Sequence, residues 1–302
     1  MKGTEGGTMK RSTLFIVVVC ICAILAAYAL MTVAQDKNAK PVQKKFIPSP
    51  VFSPPYPPLP HHFSDVKAIS ILCQAPKGAI KRALMQPLEP GGDGDLFTLL
   101  LGWTGDVEKG GYNVHEIAIN TQVQWKGQTG NTTLIEYIDS DMGLLAGREP
   151  YGWPKKMADI TWTQTATGWT ITAKKLKDQG SVPLMKIEYK ISQSVPAVKW
   201  PEMGPVLLIR RTANASPTTP AIGELVCLGC NAPKAKVSTP LVIPAGPKDT
   251  KGTATVQFFD GPHDPLTFFG PIKVLDAKMT VSEGAMPGGG LGLGEVIYKW
   301  EE

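Results

Sequence analysis

The chain has 302 residues, 43% of them apolar and 19% charged, with a formal net charge of +5. Such a chain buries a sizeable core, which excludes a disordered segment or a small disulfide scaffold. The charge excess is slight and no basic run is interleaved with aromatics, which argues against a nucleic-acid partner.

Residues 1–35 read as an export element. No charge falls between Thr13 and Ala34, "LFIVVVCICAILAAYALMTVA" is almost wholly apolar, and Lys10 and Arg11 precede it as the positive-inside rule asks. The run is long enough for a membrane span, which needs about 20 residues. Thr32 and Ala34 also offer a poor cleavage site before Gln35, so a membrane anchor and a cleaved signal peptide both stay open. In either case the rest of the chain is expected on the periplasmic or extracellular side. Residues 36–62 follow as a linker, and "PSPVFSPPYPPLPHH" is dense enough in proline for an extended spacer or an arm lying on the domain.

Residues 63–302 are expected to form one domain, mostly of strands. "VKAISILC" (66–73) alternates in β-formers, and "PKGAIKRAL" (76–84) reads as a short helix with Pro76 in its first turn. Strands are expected at 95–103, 112–120, 121–125, 132–139, 159–165, 168–176, 184–191, 206–212, 255–259, 277–282 and 295–300. Many short strands with few helices predict an α+β, mostly β class: an antiparallel, β-barrel-like core with extra strands. The Gly-rich "PGGGLGLG" (287–294) fits neither a dinucleotide nor a phosphate loop and reads as a plain loop. "CLGC" (227–230) can close a disulfide in an oxidising compartment. No second CxxC and no histidine cluster accompanies it, so neither a metal nor a cofactor is expected.

"GREPYGWPKKMAD" (147–159) sets two lysines side by side behind Pro154. Proline biases its predecessor to extended geometry, and neighbours on a strand point to opposite faces. Only one of Lys155 and Lys156 then faces the core. A buried lysine loses charge by desolvation, so whichever of the two faces inward is expected to be neutral and nucleophilic, and a pair of surface lysines at a strand start is the alternative; the residues alone leave the choice open.

"YIDSDMGLLAGREPYGWPKKMADI" (137–160) resembles the signature region of the acetoacetate decarboxylase family, in which Gly-Arg-Glu and then Pro-Lys-Lys follow a tyrosine-bearing strand. "HEIAINTQVQW" (115–125) is similar to the strand carrying that family's active-site glutamate, and Glu116 lies 39 residues before Lys155 as the family has it. Weaker similarity runs through residues 69–90, 261–281 and 294–300. The resemblance implies a largely antiparallel β-barrel-like fold, a homo-oligomer, and a small keto acid as substrate. It implies Lys155 as the amine that forms an iminium, Lys156 as a companion cation and Glu116 as a catalytic carboxylate. Arg148 and Glu149 are expected either to contact substrate or to pair with each other. The sequence departs from the pattern once: Val66 stands at about the place of an arginine that meets the substrate carboxylate, with Lys67, His61 and His62 as nearby candidates to replace it.

Overall fold

In the computed structural model, residues 62–107, 114–176, 180–192, 198–202, 204–214, 218–230, 250–282 and 294–301 carry the architecture, together with a few short stretches including 53–56. The apolar segment of residues 13–34 and the Gly-rich loop before Gly294 lie outside the described residues, as does His61. Among the described residues no helix is long and apolar enough to cross a membrane.

Alternation in the sequence becomes long paired strands. β1 (His62–Gln74), β3 (Leu96–Val107), β4 (Val114–Trp125) and β5 (Gln128–Ile138) lie side by side; between β1 and β3 come helix α1 (Ala79–Ala83) and the two-residue β2 (Glu89–Pro90). Helix α2 (Asp141–Tyr151) precedes the short β6 (Lys155–Met157). β7 (Asp159–Gln164), β8 (Gly168–Lys174) and β9 (Pro183–Ile191) form a meander, followed by β10 (Val206–Thr212), β11 (Ile222–Leu228) and β12 (Thr250–Phe258). The small β13 (Asp260–Gly261) and β14 (Asp264–Pro265), β15 (Lys273–Ser282), β16 (Met286–Pro287) and β17 (Glu295–Glu301) complete the set.

The main sheet runs β17-β11-β10-β5-β4-β3-β1-β15-β12-β9-β8-β7. Most pairs are antiparallel, as expected for a mostly β domain with few helices. Two are not: β5 takes β6 and β10 as parallel partners, so the sheet is mixed, and its path is open among the described residues. The strands expected at 112–120 and 121–125 are, over the described residues from Val114 to Trp125, the single β4, and β11 was not expected at all. Cys227 at the end of β11 is bonded to Cys230.

Register places the core. Ile69, Leu101, Ile117 and Tyr137 stand opposite one another across β1, β3, β4 and β5, and all four are fully buried. They belong to the large core on one face, which Ile171, Ile187 and Phe269 extend. On the other face lie the smaller residues Ala68, Leu100 and Ala118, packed with Tyr151 of α2 and with Val206 and Leu208 of β10. Tyr56, in the stretch read as a proline-rich linker, is buried and its hydroxyl donates to Glu149 at 2.7 Å.

Candidate active site

Two cross-strand rows end on the paired lysines. Leu100, Ala118, Glu136 and Lys155 are register partners across β3, β4, β5 and β6 on the face beneath α2. Leu101, Ile117, Tyr137 and Lys156 are partners on the opposite face. The period of two therefore separates the lysines as expected.

Local sequence sets this up. Ser140 caps α2 by accepting from the Gly143 amide at 3.1 Å, and Gly152 ends it in a left-handed conformation (φ 84°) that glycine adopts without strain. Pro154 then holds the chain extended, and its carbonyl accepts from the Glu136 amide at 3.1 Å. Those steps deliver β6 alongside β5. The segment 147–151 is helical, and the Gly152 cap, not Pro150, stops the helix. Gly147 faces Lys155 so closely that a Cβ there would stand 2.5 Å from Lys155 Cε.

The Lys155 ammonium sits 2.5 Å from Glu136 Oε1 and 3.3 Å from Glu116 Oε2. Its side chain is 11% exposed, that of Glu136 4% and that of Glu116 33%. Glu116 is opposite Gly102, where a Cβ would stand 3.1 Å from Glu116 Cγ, so the glycine leaves its room. Burial alone would lower the Lys155 pKa, but the charges of Glu136 and Glu116 outweigh it and hold the amine above its ordinary value. The expected neutral lysine is therefore corrected: Lys155 rests as an ammonium between two carboxyl groups. Burial pushes Glu136 up to about 8, with the Glu116 charge adding and Lys155 opposing. For Glu116 burial also pushes up, but the Lys155 charge and the hydrogen bonds from Glu136 and Lys155 hold it below the usual range.

Lys156 is not a companion cation for Lys155. It crosses to the other face and pairs with Asp264 Oδ1 at 2.5 Å, also donating to the His263 carbonyl at 2.9 Å. Asp264 is fully buried, with Lys175 at 2.6 Å and the Tyr137 hydroxyl donating at 2.7 Å. Burial raises the Asp264 pKa, and the bonds from Lys156, Lys175 and Tyr137 more than reverse that.

Arg148 and Glu149 do not pair with each other. Arg148 Nη1 donates to the Lys155 carbonyl at 2.9 Å, and Glu149 accepts from Tyr56. Val66 lies on the same face as Ala68, Gly102 and Glu116, and it is 2% exposed. Strand alternation puts Lys67 on the opposite face, so it does not stand in for an arginine at Val66. The sequence reading missed Glu136 and the pair Asp264 and Lys175. For Glu136 the signal was one charged residue on an apolar strand, "TTLIEYI". Among the described residues no cluster of His, Cys, Asp and Glu is arranged to hold a metal ion.

The family model "Acetoacetate decarboxylase (ADC)" matches residues 48–297. Acetoacetate decarboxylase 3 of Mesorhizobium japonicum is 32% identical over 120 residues, which is 38% of this chain and 44% of that protein. The acetoacetate decarboxylase of Burkholderia cenocepacia is 28% identical over 125 residues, 40% of this chain and 48% of that one. The aligned stretch thus spans about half the length of these relatives. Among solved structures, the acetoacetate decarboxylase of Legionella pneumophila covers 85% of this chain and 94% of its own, at a TM-score of 0.62 and 15% identity. The enduracididine biosynthesis enzyme MppR, complexed with a condensation product of pyruvate and imidazole 4-carboxaldehyde, covers 79% of this chain and 92% of its own, at 0.55 and 14%. These likenesses are ones of fold, and together with the match over residues 48–297 they show that the chain belongs to the acetoacetate decarboxylase family.

Proposed function

We propose that the protein is a lysine-iminium carboxy-lyase that converts a β-keto acid such as acetoacetate to a ketone and carbon dioxide. The observation that carries this reading is Lys155: it occupies the lysine position of the family motif, is almost buried, and is held by two carboxyl groups beneath a helix shaped to fit it.

The chemistry starts with a proton transfer. Substrate enters, and the Lys155 ammonium gives a proton to the Glu116 carboxylate at 3.3 Å. The neutral amine attacks the ketone carbon; the carbonyl oxygen takes up protons, one of them returned by Glu116, and leaves as water. The resulting iminium draws the electrons of the breaking carbon–carbon bond. Carbon dioxide departs, the electron pair rests as an enamine, and a proton is added at carbon. Water then hydrolyses the second iminium, freeing the ketone and the amine. Arg148 serves by fixing the backbone of Lys155, and Glu149 by tying α2 to Tyr56.

Val66 favours a second reading. A small apolar residue stands on the site face near Glu116, where the family resemblance places a carboxylate-binding arginine. That suits iminium chemistry of the aldol or dehydration type on another carbonyl compound. Borohydride trapping with acetoacetate and a panel of keto acids, read by intact mass, tests both. An adduct on Lys155 with carbon dioxide release supports the first reading, and an adduct without release supports the second. No adduct with any of them defeats both and leaves a binding protein that keeps the fold. Lys155→Arg is expected to reduce adduct and release to background, because arginine supplies no neutral amine.

The N-terminal segment extends the proposal: the enzyme works outside the cytoplasm, anchored or secreted, as a homo-oligomer. Cell fractionation with sedimentation of the purified chain tests this, and a cytoplasmic monomer would overturn it.

A further inference from the structure

We infer that Tyr56, in the proline-rich arm ahead of β1, is a positioning residue for Lys155: its hydroxyl pins the last turn of α2, the turn that packs on the lysine and holds its backbone. The role rests on Lys155 being the reactive amine of the proposed function. It makes the arm, read from the sequence as a spacer, part of what builds the site.

The sequence leaves the end of α2 weak. "DMGLLAGREPY" carries Gly143 and Gly147, which cost helix stability, and Pro150, which has no N–H to give to the Ala146 carbonyl. An 11-residue helix of that composition forms only where tertiary contacts hold it. At its end the Gly152 amide donates to the Arg148 carbonyl at 3.0 Å, and the Trp153 amide donates to the Gly147 carbonyl at 3.2 Å. From β10, Arg210 donates to the Pro150 carbonyl at 2.6 Å, while Glu224 accepts from the same guanidinium at 2.6 Å. Those contacts hold main-chain atoms.

Tyr56 holds the turn by a side chain. Its hydroxyl donates to Glu149 Oε2 at 2.7 Å, the usual length of a well-formed O–H···O bond. The tyrosine is buried, so that hydroxyl needs a partner inside the protein. Burial first, and then the bond to Glu149, push the phenol above its ordinary pKa, so it stays a donor. Glu149 adjoins Arg148, which donates to the Lys155 carbonyl at 2.9 Å. It lies two residues after Gly147, whose missing side chain leaves room for Lys155 Cε. A turn that slides carries both with it and shifts the lysine against Glu116 and Glu136. Misplacing a reacting group by about 1 Å costs on the order of 100-fold in rate, and losing one hold among several costs part of that.

Tyr56→Phe removes the oxygen and keeps the ring. Hydrogen exchange read by mass spectrometry needs no substrate. Peptides from residues 141–157 should exchange at least tenfold faster than in wild type, and those from residues 66–73 of β1 at an unchanged rate. The maximal rate of borohydride-trapped adduct with the best keto acid should fall about tenfold, with the half-saturating concentration within about twofold. Glu149→Ala should reproduce both losses, and the double variant should add nothing to either, because the two side chains make one contact. Unchanged exchange over 141–157 in Tyr56→Phe overturns the inference, as does faster exchange with an unchanged maximal rate. Faster exchange throughout, β1 included, also overturns it, because Tyr56 would then support the whole fold rather than this turn. So does a double variant whose losses add. Faster exchange confined to 141–157, in a chain whose wild type forms no adduct with any keto acid, would uphold the pin and defeat the lysine-iminium reading instead.

Discussion

The two faces of the sheet at β6 hold two adjacent lysines in opposite circumstances. On the α2 face, one ammonium, Lys155, meets two carboxyl groups, Glu116 and Glu136. On the core face, one carboxylate, Asp264, meets two ammonium groups, Lys156 and Lys175, and the Tyr137 hydroxyl. In the second cluster Asp264 is fully buried against two ammonium groups and a hydroxyl, which hold its carboxyl below the usual range. The first has a surplus carboxyl group, and one member, Glu116, is a third exposed. Similar groups at similar distances thus make a clamp on one face and, under the proposed function, the reactive centre on the other. The stoichiometry decides which.

Breaking the clamp should have the largest effect on folding. Asp264→Ala leaves Lys156 and Lys175 without their shared carboxylate, and Lys175 is only 6% exposed. Removing one partner of a buried ion pair costs about 3–5 kcal/mol. Urea unfolding is expected to show a loss of that order. A variant as stable as the wild type would mean that Asp264 does not anchor β6.

Crowding the reactive face should cost activity more than stability. The Cβ of Gly147→Ala would meet Lys155 Cε at 2.5 Å and Cδ at 2.8 Å, so the lysine must move off its carboxyl partners. Misplacement by about 1 Å costs on the order of 100-fold in rate. Adduct formation with the best keto acid should fall by that factor, with an unfolding cost of about 1–3 kcal/mol. Unchanged adduct formation would show that the close fit of α2 over Lys155 has no part in its reactivity.

The motif on which both faces meet was readable because its residues are contiguous, and strand alternation sufficed to split Lys155 from Lys156. Glu116 was readable through its spacing within the resemblance. Glu136 was not, because its burial depends on α2 covering the end of β5, and "DMGLLAGREPY", with two glycines and a proline, has weak helix propensity. Asp264 lay beyond reach for another reason: it sits 127 residues from Tyr137 and follows a short turn, so only the tertiary fold brings them together. Without Glu136, desolvation alone governs Lys155 and gives its protonation state the wrong sign. β11 went unread because Gly223 and Glu224, residues depleted in strands, interrupt the apolar pattern of "IGELVCL".

The smallest expected effect sharpens the contrast most. Lys156→Met removes the lysine nearest to Lys155 in sequence. If adjacency in the chain governed electrostatics, losing that cation would raise the Lys155 pKa and suppress labelling of its amine. The structure sends Lys156 through to the other face, where Asp264 absorbs its charge and Lys175 stays to keep Asp264 paired. Lys156 is itself about a third exposed, so the variant should lose only about 1 kcal/mol in urea unfolding. Acetic anhydride labelling of Lys155 at pH 8 should stay within about threefold of wild type, since the neighbour's charge is compensated on the far side of the strand. A drop of tenfold would restore Lys156 as an electrostatic partner of Lys155 and dissolve the division of the two faces. A threefold limit combined with the expected Gly147→Ala loss would mean that Lys155 is governed by what packs on its own face, not by its neighbour in sequence.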